Sequence, residues 1–166
     1  MNEILPSVEY ILSVTPSEEY DQLFGIGHQK VIITGVYSGD EIVPGQEIYI
    51  TTNRWNLFLF EGERSAERGF VNVMKTGAEY LVFGSEILNF DDENTNVLRL
   101  YEDSYIAPIF CYDKTTNVIA EVIGNTTYVP YTSVRNNEFF ACTENALGEW
   151  LILKNNMLNL YPMEKK

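Results

Sequence analysis

His28, Cys111 and Cys142 are the side chains on which nucleophilic or transition-metal chemistry would have to rest, and their spacing suits neither. A single histidine cannot build a multi-histidine metal site or a relay of two imidazoles. It sits in Gly25-Ile-Gly-His-Gln29, which lacks the third glycine and the helix signal of a phosphate cradle. The segment reads instead as a loop with a solvent-facing histidine. No Gly-x-Ser-x-Gly elbow occurs. The two cysteines are 31 positions apart, which excludes a CxxC redox or zinc motif. Cys111 lies between Phe110 and Tyr112 on an apolar stretch. Burial there would raise the thiol pKa and leave it inert.

Oxygen chemistry has more material. Asp92, Asn94 and Asn96 give the Asp-x-Asn-x-Asn opening of an EF-hand-like calcium loop. Val97 then stands where that loop turns on glycine, and Asp103 where it needs glutamate. A solvated hairpin loop is the plainer reading. Glu18-Glu19 and Glu102-Asp103 are acidic pairs. Hydrolysis by paired carboxylates needs them at fixed separation across a cleft, and no sequence feature supplies the cleft. Aromatic residues offer a different chemistry, stacking on a ligand. Trp55 lies in polar Asn53-Arg-Trp-Asn56 and is expected to be partly exposed, with Arg54 and Phe58 beside it. These three form the candidate ligand surface. Core packing is the competing role for most other aromatics.

The charge narrows the partners. The chain has 166 residues, 24 acidic and 11 basic, for a net charge of −13. Counterion release from a phosphate backbone needs clustered Lys and Arg, and here they are scattered. Nucleic acid and anionic membrane surfaces are therefore not expected. No stretch has the ~18 apolar residues of a membrane helix, and the first residues lack a signal-peptide pattern. No cofactor is expected.

The elements that must position these groups are mostly strands. Val8–Val14, Val31–Tyr37, Glu47–Thr51, Glu79–Phe83, Val97–Leu100 and Ile106–Tyr112 carry β-branched and aromatic residues, some in period-2 alternation. Ser38-Gly-Asp40, Val43-Pro-Gly45 and Gly77 are turn chemistry. Pro16 suits a helix start. Tyr20–Lys30 reads as loop, and Asn53–Glu67 as an irregular insert. Phe70–Met74 and Phe139–Cys142 are short strand candidates. Asn145–Leu160 is the best helix candidate, with Leu147, Trp150, Leu151, Leu153, Met157 and Leu158 near 3- and 4-residue spacing; Gly148 and Asn155-Asn156 weaken it, and a terminal strand pair is the alternative. The expected fold is mainly β: an OB-like closed or partly open antiparallel barrel over residues 1–115, with one or two minor helices. Residues 116–166 form a C-terminal extension packed on it as one compact unit.

Strand, Ser38-Gly39-Asp40 turn, Pro44-Gly45, strand, and Gly77-Ala78-Glu79-Tyr80-Leu81-Val82-Phe83 follow one another in an order that resembles a known pattern. It is similar to bacterial domains related to the netrin module and the tissue inhibitors of metalloproteinases. Those carry Lys-Gly-Asp, where this chain has Ser38-Gly39-Asp40. The resemblance covers about residues 8–112. It implies an OB-like barrel and an extracytoplasmic, often lipid-anchored protein, and no activity. The inhibitors chelate zinc through an N-terminal cysteine, whereas position 1 here is Met1, so inhibition is not carried over. An extracytoplasmic setting favours a disulfide between Cys111 and Cys142 over a buried free thiol. The functional expectation is a non-enzymatic binding or interaction module for a protein or cell-surface ligand. The alternatives are a carboxylate hydrolase and a calcium-stabilised surface module.

Overall fold

The computed structural model describes residues 3–18, 20–23, 26–53, 55, 57–67, 71–89, 96–103 and 106–163. Its strands are β1 (Tyr10–Pro16), β2 (Asp21–Leu23), β3 (Ile26–Ser38), β4 (Glu47–Thr52), β5 (Leu57–Phe60), β6 (Glu63–Glu67), β7 (Tyr80–Asn89), β8 (Asn96–Leu100), β9 (Ile109–Cys111) and β10 (Tyr128–Pro130). A 3-10 turn covers Leu5–Ser7, and the helices are α1 (Tyr131–Val134) and α2 (Glu144–Leu160).

Five strands close a barrel in the order β1-β3-β4-β8-β7, with β7 returning to β1. Counted along the chain, this is order 1-2-3-5-4 with the first strand closing on the fourth, the Greek-key path of an OB-like barrel. Four of the five junctions are antiparallel, and β4 runs parallel to β8. The alternation of β3 accounts for the wall: Gly27, Gln29, Val31, Ile33 and Gly35 are buried, while Ile26, His28, Lys30 and Ile32 are not. Closure also needs curvature. The β1–β3 ladder slips register twice, and β7–β8 slips between Gly84 and Glu86. Such bulges bend strands and tighten their twist. Gly84 is the corner where β7 leaves β1 for β8, and a Cβ there would lie 2.4 Å from Leu98 Cδ1. Only glycine lets the strands approach so closely.

Tyr10–Val14 of β1, Tyr80–Gly84 of β7 and all of β9 are buried without alternation. Register places Ile11, Ser13, Leu81, Phe83 and Phe110 on one face and Leu12, Val14 and Val82 on the other. The second set lines the barrel. The first lies under the C-terminal part: Phe139 meets both Phe110 (6.3 Å) and Trp150 (5.5 Å), and Tyr161 meets Phe83 (5.9 Å). Both faces are covered, so the strands read as apolar runs. Thr143 caps α2 by accepting from the Ala146 amide at 3.2 Å, and Glu144 complements the helix dipole. α2 begins one residue before the predicted helix. Among the described residues, no helix is long and apolar enough to cross a membrane.

Several local expectations are corrected. Pro16 ends β1 and starts no helix. Tyr20–Lys30 is largely a hairpin, because β2 pairs with the first residues of β3. Phe139 forms only an isolated bridge to Val71, and the Asn117 side chain takes the Glu138 and Phe139 amides. The insert Asn53–Glu67 contains a second hairpin, β5–β6, to which β10 adds a third strand. Its two-residue turn has φ of 51° at Glu61 and 84° at Gly62, as a type I′ hairpin turn requires. This sheet closes over a smaller core of Ala66, Ala120, Val129, Val134 and Phe140.

Candidate functional site

The expected ligand surface divides in the structure. Trp55 is only 2% exposed, which overturns its expected exposure. Its backbone and Cβ fill the space over Gly27, where an added Cβ would come within 2.4 Å of Trp55 Cβ. Tyr20 packs edge-on against the indole and donates its hydroxyl to the Trp55 carbonyl at 2.5 Å. The indole N–H has no acceptor among the described residues. Arg54, Asp92 and Asn94 lie outside the described residues, and Asn96 opens β8 opposite Asn89. Cys111 and Cys142 are not joined, so the expected disulfide is corrected. Cys111 belongs to the main core and Cys142 packs against the smaller one. His28 lies on the outer side of β3, edge-on to Tyr49 at 5.9 Å, with Nε2 3.7 Å from Asp21 Oδ2. Among the described residues, no three His, Cys, Asp or Glu side chains converge as a metal site requires.

Phe58 acquires partners that its local sequence does not announce. In the β5–β6–β10 ladder, Phe58, Phe60, Ser65, Glu63, Glu67 and Tyr128 share one face. Tyr128 lies 4.7 Å from the Phe58 ring and 5.1 Å from Phe60. All three rings are half-buried, and Glu63 and Glu67 beside them are exposed. Leu57 and Ala66 occupy the opposite face and join the small core. Leu59 shares that face beyond the core edge and is 76% exposed. The result is a compact aromatic patch with an acidic border, a surface suited to packing against a partner.

A second concave feature lies where β7 begins and β9 ends. A cavity of about 350 Å³ is lined by Val73, Tyr80, Cys111, Thr115 and Glu138, among others. Beside it is a buried ion pair: Lys154 Nζ lies 2.6 Å from Glu138 Oε2. The same oxygen accepts from the Thr115 hydroxyl, and Oε1 accepts from the Cys111 amide at 2.8 Å. Lys154 also reaches the Asp113 carbonyl and the Thr115 hydroxyl, each at 3.4 Å. A general base needs a lone pair facing a substrate proton, and both oxygens of Glu138 already accept from protein donors. Asp113 is exposed at the rim. Burial pushes the Cys111 thiol up, with the Glu138 carboxylate adding to it, so the nucleophilic thiolate is disfavoured. Tyr80 is likewise pushed up by burial, while its oxygen accepts from the Lys75 amide at 2.8 Å.

Burial also raises Tyr20 and Tyr131. All these acids are held protonated by the fold, so the unfolded chain releases their protons first. Their stabilisation is complete below the ordinary values, 9.0 for the thiol and 10.0 for the phenols, and is lost as pH rises beyond them. The urea midpoint should stay level up to about pH 9 and fall steadily above it. A midpoint unchanged through the phenol range would contradict this burial.

Comparison of the chain with models of known protein families and with curated proteins finds no match.

Proposed function

We propose that this chain is a non-enzymatic interaction module, of the extracytoplasmic kind its resemblance implies. In this reading an OB-like barrel carries the β10-β6-β5 sheet as its partner-binding surface. The observation that supports it best is the meeting of Phe58, Phe60 and Tyr128 on one outward face, from segments about 70 residues apart in the chain. Core packing does not account for them, because the small core lies on the other face of the sheet. The barrel order agrees with the fold that the netrin-like resemblance implies. The partner is a protein or another cell-surface ligand. A net charge of −13 disfavours phosphate backbones and anionic surfaces. A carboxylate hydrolase finds less support, since Glu138 is neutralised by Lys154 and faces protein donors.

A displayed-peptide selection tests the reading. Sequences enriched on the wild-type chain should bind Phe60→Ser and Tyr128→Ser at least about tenfold more weakly, as expected when an aromatic anchor is lost. Both rings are half-buried on the outer face, so a circular-dichroism check separates lost binding from lost folding. Full binding by the folded variants would place the working surface elsewhere.

A further inference from the structure

We propose that the partner docks as an extended basic peptide, adding as a strand along the outer edge of β5. The inference rests on the small sheet being the interaction surface. β5 ends the order β10-β6-β5, so among the described residues its ladder runs on one side only. An edge strand presents unpaired N–H and C=O groups to any chain that can align with it, and proteins usually blunt such edges with lysine, proline or a bulge. Leu57-Phe-Leu-Phe60 has none of these in its sequence, and its pairing with β6 runs in unbroken register. The Tyr20 hydroxyl lies at the Leu57 backbone, which closes the start of the edge and leaves Phe58–Phe60. Side chains of an added strand would alternate between the two faces. One set would lie beside Phe58 and Phe60, and the other beside exposed Leu59.

Charge selects the occupant. Glu61, Glu63 and Glu67 of the hairpin are exposed. The Arg64 guanidinium is drawn over the Tyr131 ring at 5.2 Å. A second copy of this chain would bring another −13 and the same acidic hairpin, which opposes edge-to-edge self-pairing. A lysine- or arginine-bearing strand meets the opposite field and gains in encounter rate and register.

The test uses the full chain with a short synthetic peptide alternating lysine and valine. Two control peptides accompany it: a copy N-methylated along one edge, and a glutamate–valine counterpart. Residue-resolved amide exchange should slow about tenfold at Leu59, whose N–H faces away from β6, with the lysine peptide alone. Its affinity should weaken about tenfold in high salt, and Leu59→Lys should abolish it. Several results would overturn strand addition: no slowing in β5, equal protection by the methylated copy, or protection by a dimer of the chain without peptide. The selection described above stays informative in each case. Selected peptides that still depend on Phe60 would leave the surface reading standing while strand addition falls.

Discussion

Glu138→Ala should lower the folding free energy by about 3–5 kcal/mol, the cost of stripping one partner from a buried ion pair. Glu138 and Lys154 are each 7% exposed. The carboxylate joins the end of β9, the Thr115 hydroxyl and α2 at one point. Removing it leaves an ammonium in low dielectric whose remaining acceptors are 3.4 Å away. Lys154→Met should be damaging for the complementary reason. The double variant Glu138→Leu/Lys154→Met should recover most of the loss, because no isolated charge remains. Urea unfolding of the three variants measures this. A loss below about 1 kcal/mol for each single variant would mean that the pair behaves as a solvent-exposed one.

Phe139→Ala should cost a similar ~3–5 kcal/mol, on the order of 10 °C in melting temperature for a chain of this length. Phe139 is fully buried between Phe110 of β9 and Trp150 of α2. Truncation removes the ring that couples helix to barrel and leaves a void that neither side can fill by small movements. Wild-type unfolding should therefore be concerted. Trp150 fluorescence and far-ultraviolet circular dichroism should trace one transition in the wild type and an earlier one in the variant. A helix signal lost well before the strand signal in the wild type would show α2 to be an independent appendage.

The barrel was legible where burial is one-sided. β3 and β4 alternate, and the Gly39-Asp40 and Pro44-Gly45 turns set their ends. The small sheet was obscure because β6 reads Glu-Arg-Ser-Ala-Glu, which looks like a charged loop. Only Ser65 and Ala66 are buried, one on each face, and both are small. The Glu61-Gly62 dipeptide, placed after an apolar run, was the signal for a hairpin. Trp55 misled for a related reason. Its neighbours in sequence are polar, but the absence of a side chain at Gly27 makes the slot that buries it. The ion pair also had a faint mark. Leu147, Trp150, Lys154 and Met157 fall at helical spacing on the buried stripe, and a lysine in such a stripe calls for a buried partner. Its identity as Glu138 depends on the path of segment 113–142, where only β10 and α1 are regular and no local periodicity dictates the course.

In the function proposed above, the barrel serves to present the small sheet to a partner. The decisive experiment maps backbone amide shifts as a selected peptide is titrated onto the chain. Perturbations should concentrate in Phe58–Phe60, Glu63–Glu67 and Tyr128–Pro130. Perturbations centred instead on Lys75, Cys111 and Lys114 around the cavity, with the small sheet unmoved, would contradict it.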